Sequence, residues 1–349
     1  MAYASEIARA KRHGLVLTLR TMDRRTFLTA SAGLVASSLT AEAQQTANVP
    51  RIGILGTYPP TTPEFAHLWQ AFDHGLRELG HVEGRNLVVE RRFMEGNAER
   101  LPTLADELVR LNVRVIVAGG QPPPVAARAA TTTIPIVMTN FSDPVGLGLV
   151  TNLARPGGNI TGLALLTVEL VAKQLQLLTE AVPNVSRVAF LTNPGNPGAA
   201  LQLRDAQAAA SSLGLQLQPL AAQRPDEFAR AFDAMTRERA EAVLLPGDSV
   251  LYFYRRQIAD LAIKSRLPAL FAPREFAQAG GLMAYGANIA DLYRRAASYV
   301  DRILKGANPG DLAIERPAKF ELVINVRTAK AIAIAIPQSL LQRADEVIQ

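Results

Sequence analysis

The chain alternates short apolar segments with longer amphipathic ones, and this alternation constrains its fold more than any other feature. The strand-like segment RIGILG (51–56) leads to a helical segment, EFAHLWQAFDHGLRELG (64–80), in which apolar residues recur with the period of an α-helix. Further strand segments follow at 86–93, 113–120 and 134–140. Strands that are apolar along almost their whole length indicate a parallel sheet with helices on both faces.

The same pattern starts again with a long amphipathic helix at 167–183. Strand segments then follow at 187–193, 215–220, 240–247 and 268–272. Two units of similar layout predict an α/β protein with two doubly wound, Rossmann-like lobes and a cleft between them.

The chain after the second unit is too short for a third domain, so we expect the two lobes to share it. Lobe 1 is predicted at 50–164 plus about 284–310, and lobe 2 at 165–275 plus about 318–349. The chain would then cross between the lobes three times, near 162–167, 272–284 and 308–320.

An export signal precedes the first strand. Residues 22–43 read MDRRTFLTASAGLVASSLTAEA, with paired arginines, a weakly apolar stretch and an A-x-A arrangement that ends at Ala43. The RR-x-F-L order from Arg24 resembles the twin-arginine type, and a Sec signal remains the alternative. Residues 1–21 are interpreted as an upstream extension. We expect a periplasmic protein that is soluble after cleavage near Ala43.

Composition argues against several classes of function. None of the 349 residues is cysteine, which excludes disulfides and a lipid anchor on cysteine. The formal charge of +6 is spread along the chain, whereas nucleic-acid-binding proteins cluster Lys and Arg. We therefore expect no nucleic-acid partner.

Catalytic and metal sites are also poorly supported. His67 and His74 are two helical turns apart, roughly 10 Å, which is too far for one metal ion, and we assign them to a solvated helix face. There is no G-x-S-x-G elbow and no phosphate-binding G-x-x-x-x-G-K-[ST] loop. We expect no catalytic residues, metal or cofactor. An exported hydrolase with Asp143 and Asp248 as paired carboxylates is the least favoured alternative.

The segment NFSDPVGLGLVTNLARPGGNITG (140–162) contains a G-x-G pair, but the third glycine of a dinucleotide motif is replaced by Thr151. The composition instead predicts a strand end followed by a short helix, GLGLVTNLA. Ser142 and Asp143 are candidate N-caps of this helix, with Pro144 at its first position. Asp143 is equally compatible with capping alone and with ligand contact.

Four segments together resemble the ABC-transporter substrate-binding protein family that includes tryptophan-binding lipoproteins. They are DPVGLGLVTNLARPGGNITG, RVAFLTNPGNPGA, LLPGDSV and KFELVINVRTAKAIAIAIPQSLLQRADEVI. The resemblance covers nearly everything after residue 50. It implies a type I periplasmic-binding fold that closes over a small ligand, an amino acid or related carboxylate, and presents it to a membrane permease as a monomer. A sensory module of the same fold, in signalling rather than transport, remains the alternative.

Ligands of doubly wound sheets bind beyond the carboxyl ends of the strands. The loops there supply the expected ligand-binding residues, which are Thr57, Tyr58, Gln121, Asn140, Ser142, Asp143, Asn193, Asn196, Asp248, Ser249 and Tyr285. Hydroxyl and backbone N–H groups would hold a carboxylate, and Asp248 or Asp143 would pair with an ammonium group. Tyr252 and Tyr254, on the helix after PGDS, are assigned to packing.

Overall fold

A computed structural model describes residues 49–165 and 167–349, without the side chains of residues 167–169. The predicted upstream extension (1–21) and export signal (22–43) lie outside the described residues. None of the helices in the described part of the chain combines the length and the apolar character that crossing a bilayer demands.

The described residues form twelve strands and twelve α-helices, with two short 3-10 helices at Ala98–Arg100 and Pro309–Asp311. The strands are β1 (Arg51–Gly56), β2 (Val88–Phe93), β3 (Val115–Gly119), β4 (Ile136–Phe141), β5 (Ile160–Ala164), β6 (Arg187–Thr192), β7 (Gln216–Ala221), β8 (Ala242–Leu245), β9 (Ala269–Phe271), β10 (Met283–Ala287), β11 (Phe320–Asn325) and β12 (Glu346–Ile348). The helices are α1 (Pro63–Glu78), α2 (Leu101–Arg110), α3 (Pro122–Ala130), α4 (Thr167–Ala181), α5 (Ala199–Ser212), α6 (Pro225–Arg237), α7 (Ser249–Phe253), α8 (Arg255–Lys264), α9 (Arg274–Gln278), α10 (Ile289–Leu304), α11 (Val326–Ala331) and α12 (Gln338–Leu341).

The strands form two sheets, one in each lobe, as the alternating pattern predicts. The first sheet has the order β2-β1-β3-β4-β5 and is parallel throughout. The second has the order β12-β11-β10-β9-β8-β6-β7, and only its β10–β11 pair is antiparallel. The central strands are buried along their length, β3 completely, because helices cover both faces. The fold class is thus confirmed.

Strand β5 differs from the prediction. The segment PGGNITG (156–162) was expected to lead into the first crossing, near 162–167, but Ile160–Ala164 pairs with β4 as the edge strand of the first sheet. The first crossing therefore lies between Ala164 and Thr167, the start of α4. Gly162 has a φ of +127°, and a side chain at this position would collide with the backbone of Met138. Glycine is required here because the two strands approach so closely.

The second crossing also lies later than expected. Residues 284–287 were placed in lobe 1, but β10 pairs with β9 and β11 of the second sheet. The chain therefore crosses only between Ala287 and the start of α10. The third crossing follows Glu315, whose backbone bonds to β5, and precedes β11.

Helix α10 returns to the first lobe and completes its core. Its Tyr293 packs edge-on against Trp69 of α1, with ring centroids 5.0 Å apart. The two helices are so close that a Cβ atom on Gly75 would lie 2.4 Å from the carbonyl oxygen of Arg294. Lobe 1 is thus built from two segments that are far apart in sequence.

The predicted helix GLGLVTNLA is not formed. Residues 144–148 make a series of turns instead. Gly148 has a φ of +69°, which a right-handed helix does not allow. Asp143 does act as a cap, because its Oδ1 accepts a hydrogen bond from the N–H of Gly146 at 2.8 Å.

Candidate functional site

A cavity lies between the two lobes, where strands of both sheets end. Residues from lobe 1 line one side, among them Gln121, Asn140 and Tyr293, and residues from lobe 2 line the other, among them Asp248, Ser249 and Tyr252. This inner cavity has a volume of about 40 Å³. That is room for only a few water molecules, so a larger ligand would have to enter while the lobes are apart and, once they close, extend beyond this inner space.

A wider outer mouth of about 640 Å³ adjoins the inner cavity and shares Asp248 and Ser249 with it. Tyr58 lines the mouth from lobe 1, and Asn193 and Phe253 line it from lobe 2. Asp248 therefore lies at the boundary between the inner cavity and the mouth.

Four N–H groups hold the carboxyl group of Asp248 in place. Its Oδ1 accepts hydrogen bonds from the backbone N–H groups of Val250 and Leu251 at 2.8 and 2.9 Å, which makes it the N-cap of α7. The side-chain amides of Asn193 and Asn196 donate to Oδ2 at 3.1 and 2.9 Å. Among the described residues, every recorded partner of this buried carboxyl group is an uncharged N–H donor.

Hydrogen bonds fix the orientation of the side-chain amide groups of Asn193 and Asn196. The Oδ1 of Asn193 accepts from the N–H of Gly195, and the Oδ1 of Asn196 accepts from the N–H of Gly198. Their amide NH₂ groups must therefore point at Asp248, and each acts as a donor to it. The loop after β6 thus presents donors to the loop after β8.

Burial raises the pKa of the Asp248 carboxyl group above its ordinary value. The N–H groups of Leu251, Asn193, Asn196 and Val250 act against that rise because they stabilise the ionised form. A cationic group brought into the cavity would favour the ionised form further. The site therefore favours a positive charge, which none of the described residues supplies to Asp248.

On the opposite side of the cavity, Gln121 organises the polar surface of lobe 1. Its Oε1 accepts hydrogen bonds from both the N–H and the hydroxyl group of Ser142, at 3.1 and 2.8 Å, and its Nε2 donates to the carbonyl of Asn140. The Oδ1 of Asn140 accepts from Gly120 N–H and from Thr139. With its oxygen occupied, Asn140 presents its NH₂ group as a donor.

Aromatic rings form the apolar walls of the cleft. Tyr58 stacks on Phe65 within lobe 1 and on Phe253 of lobe 2, with centroids 4.8 and 4.5 Å apart. Phe65 also meets Tyr252 edge-on at 5.3 Å. Burial raises the pKa of Tyr58 to about 12, with the charges of Tyr254 and Asp248 as smaller causes, so its hydroxyl group stays protonated.

The structure brings most of the expected ligand-binding residues together, although their contact with a ligand stays a prediction. Gln121, Asn140, Asp248 and Ser249 line the inner cavity, and Tyr58 and Asn193 line the mouth. Three others contact these residues or the adjacent backbone without lining the cavity or the mouth. Asn196 and Ser142 hold Asp248 and Gln121, and Thr57 is buried at the end of β1, where a Cβ on Gly120 would meet its methyl group.

Two expected residues lie elsewhere. Asp143 uses its carboxylate to cap a turn and lines neither the cavity nor the mouth. Tyr285 lies in β10, stacks on Phe320 at 5.9 Å and faces a separate pocket beside the crossings. It lies in the middle of its strand, opposite Leu322 of β11, and lines neither the cavity nor the mouth.

The sequence did not identify three aromatic residues of the cavity. Tyr252, which we assigned to packing, is buried and also lines the cavity. Phe65 lies on the face of α1 that we read as core, and Tyr293 arrives from α10, distant in sequence. Only the closeness of Tyr252 to the PGDS loop was a usable signal.

Comparison with known proteins identifies a matching family and a similar protein of assigned ligand. Residues 62–348 match the model of the family described as ABC transporter substrate binding protein. The chain is 23% identical over 264 residues, 75% of each chain, to a tyrosine-binding protein of Clostridioides difficile (strain R20291).

Two solved structures resemble the chain over most of its length. A conserved domain protein of Vibrio cholerae is 28% identical, with a TM-score of 0.81 over 86% of this chain and 100% of that one. A domain from Streptococcus pneumonia in complex with L-Trp is 25% identical, with a TM-score of 0.79 over 86% and 99% of the two chains. Both similarities extend across the two lobes.

Proposed function

Because the chain belongs to the family of ABC transporter substrate-binding proteins and has the type I periplasmic-binding fold, we propose that it is the periplasmic receptor of an importer. Its ligand is an amino acid with an aromatic side chain, bound between the lobes and enclosed when they close. Lobes joined by three short crossings can rotate about them as a hinge.

The buried carboxylate of Asp248 is the observation that carries this proposal. An ionised group that is buried without a counter-charge is costly, and an ammonium group from a ligand removes that cost. Asp248 lines both the inner cavity and the mouth, so a ligand can reach it from solvent. An α-ammonium group supplies the required charge.

The other parts of an amino acid have matching surfaces. The amide NH₂ group of Asn140 and the hydroxyl group of Ser249 are donors for a carboxylate, and both line the inner cavity. The rings of Phe65, Tyr252 and Tyr293 form an apolar wall suited to an aromatic side chain. One similar protein is described as tyrosine-binding and another was solved in complex with L-Trp, and both amino acids have this combination of groups.

The proposal is tested by binding to the purified, unrefolded protein. L-Tyrosine, L-tryptophan and L-phenylalanine are each expected to raise Tm, because a ligand that binds only the folded state stabilises it. 3-Phenylpropionate, which lacks the ammonium group, should bind far more weakly than L-phenylalanine. Absence of a shift with all three amino acids, and of any co-purified amino acid in native mass spectra, would refute the proposed ligand class.

The transport role is tested separately in cells. Deleting the gene should abolish high-affinity uptake of the labelled amino acid that binds in vitro, and restoring the gene should restore uptake. Normal uptake in the deletion strain, together with confirmed binding in vitro, would favour the signalling role over import.

A further inference from the structure

Three polar side chains meet at the seam between the lobes, outside the cleft. His67 on α1 of lobe 1 places its Nε2 atom 3.2 Å from Oε1 of Glu275, on α9 of lobe 2. The same Nε2 atom lies 3.3 Å from the hydroxyl oxygen of Tyr252, on α7 of lobe 2. These are side-chain contacts between elements that the chain connects only through its crossings.

Tyr252 links this seam to the candidate ligand site. It lines the inner cavity, while His67 and Glu275 line a groove on the outer side of the lobe interface. Its hydroxyl group is held in the groove by His67, so the ring is fixed as part of the cavity wall. Burial raises the pKa of Tyr252, with the charge of Glu275 as a further cause, and the hydroxyl group therefore stays protonated.

Among the described residues of lobe 2, no cationic side chain forms an ion pair with Glu275. The neighbouring Arg274 turns to Glu321 and Glu346. Arg255 lies over the Tyr252 ring, with its Cζ atom 4.6 Å from the centroid. Within the described residues, Oε2 of Glu275 is buried without a hydrogen-bond partner. His67 therefore provides the hydrogen bond to this carboxylate, and it can do so only when the lobes are together.

We propose that His67, Tyr252 and Glu275 form an interlobe latch that stabilises the closed arrangement and holds the Tyr252 ring against the ligand. This inference rests on the proposed hinge closure of the receptor. When the lobes separate, the charge-assisted hydrogen bond between His67 and Glu275 breaks, and both side chains become hydrated instead. The latch is therefore expected to slow dissociation of a bound ligand more than it changes the association rate.

The test uses three variants, His67→Ala, Glu275→Ala and Tyr252→Phe, with L-tyrosine as the probe. The sequence contains a single tryptophan, Trp69, whose indole N–H donates to the carbonyl of Tyr58. Tyr58 in turn stacks on Phe253 of lobe 2, so opening of the lobes is expected to change the Trp69 fluorescence. Each variant should release L-tyrosine about fivefold to tenfold faster in stopped-flow displacement, with association changed less than twofold. The double variant His67→Ala/Glu275→Ala should release it no faster than the faster single variant, because both changes break one contact.

His74→Ala is the matched control. His74 lies on the same helix and pairs with Glu78 within lobe 1, so its loss should leave the release rate unchanged. Release from the three variants within twofold of this control, or additive effects in the double variant, would overturn the latch.

Small-angle scattering of the ligand-free proteins gives a readout that does not depend on the ligand. The latch variants should have a larger radius of gyration than the wild-type protein and His74→Ala. If the wild-type protein binds none of the amino acids, the proposed function fails while this comparison still tests the latch. Equal radii in all the proteins would overturn it.

Discussion

The rings of Tyr58 and Phe253 stack across the mouth of the cleft, with centroids 4.5 Å apart and planes 5° from parallel. Tyr58 follows β1 of lobe 1, whereas Phe253 ends α7 of lobe 2. The stack therefore exists only while the lobes are closed, and it stands between solvent and the inner cavity. Its loss should weaken closure without disturbing either sheet.

Phe253→Ala is expected to weaken binding of L-tyrosine by about threefold to tenfold, which is the contribution of one aromatic pair. Isothermal titration measures the change. The control is Tyr285→Leu, which removes a ring that stacks on Phe320 within lobe 2. An equal loss of affinity in both variants would show that the interlobe stack has no special role.

Asp248→Asn should weaken binding of L-tyrosine by at least 100-fold, because the ligand ammonium group would be buried without its partner. Asp143→Asn is the control, since an asparagine can also cap the turn at Gly146 and the residue lies outside the cleft. Titration calorimetry of both variants shows which of the two carboxylates predicted from the sequence pairs with the ammonium group. Equal affinities of Asp248→Asn and wild-type protein would contradict the proposed role.

The raised pKa of Asp248 predicts a pH dependence with opposite signs for binding and for stability. Affinity for L-tyrosine should fall as the pH falls through this pKa, at a higher pH than an ordinary carboxyl group would give, because only the ionised form pairs with ammonium. In the ligand-free protein, the folded state binds a proton that the unfolded chain has already lost. This carboxyl group therefore lowers the free energy of unfolding as the pH rises through the same window.

Titrations of binding at several pH values, with Asp248→Asn as a reference, check the first sign. Chemical denaturation of the ligand-free proteins at the same pH values checks the second. A binding curve for the wild-type protein that keeps its full affinity well below the pKa of an ordinary aspartate would contradict the assignment.

Gly162→Ala should lower the free energy of unfolding by about 3 kcal/mol or more. The backbone there has a φ of +127°, and the added methyl group would lie 2.2 Å from the carbonyl oxygen of Met138. Gly148→Ala shares a positive φ but meets no atom within 4 Å, so it should cost only about 1 kcal/mol. Urea denaturation of both variants measures the difference, and equal costs would mean that the approach of β4 and β5 is not tight.

The sequence was sufficient to predict which loops gather at the cleft. Parallel strands place their carboxyl ends at one edge, so the order of segments already brings Gln121 and Asn140 together, and likewise Asn193 and Asp248. It was not sufficient for Tyr293. The helix that carries this residue was assigned to lobe 1, but nothing local in α10 tells which of its side chains reaches the cavity. Nor was it sufficient for Asp143. This residue caps a turn outside the cleft, whereas the sequence predicted a helix at that position.

Glycine caused the two main errors in secondary structure. The strand Ile160–Ala164 follows Gly157 and Gly158, both with positive φ, and contains Gly162, so its composition resembled a loop. In GLGLVTNLA the apolar spacing suggested a helix, but Gly148 adopts a conformation that ends one. In both cases tertiary contacts, which a local pattern does not contain, decided the outcome.

The position of α10 in the chain has a consequence for how the protein is made. A ribosome delivers Tyr293 only after it has synthesised β6 to β10 of the other lobe. Until then Trp69 and the face of α1 around Gly75 have no covering helix. The N-terminal lobe, although translated first, must therefore finish folding after most of its neighbour has emerged, and its exposed apolar surface is where a chaperone would be needed during synthesis.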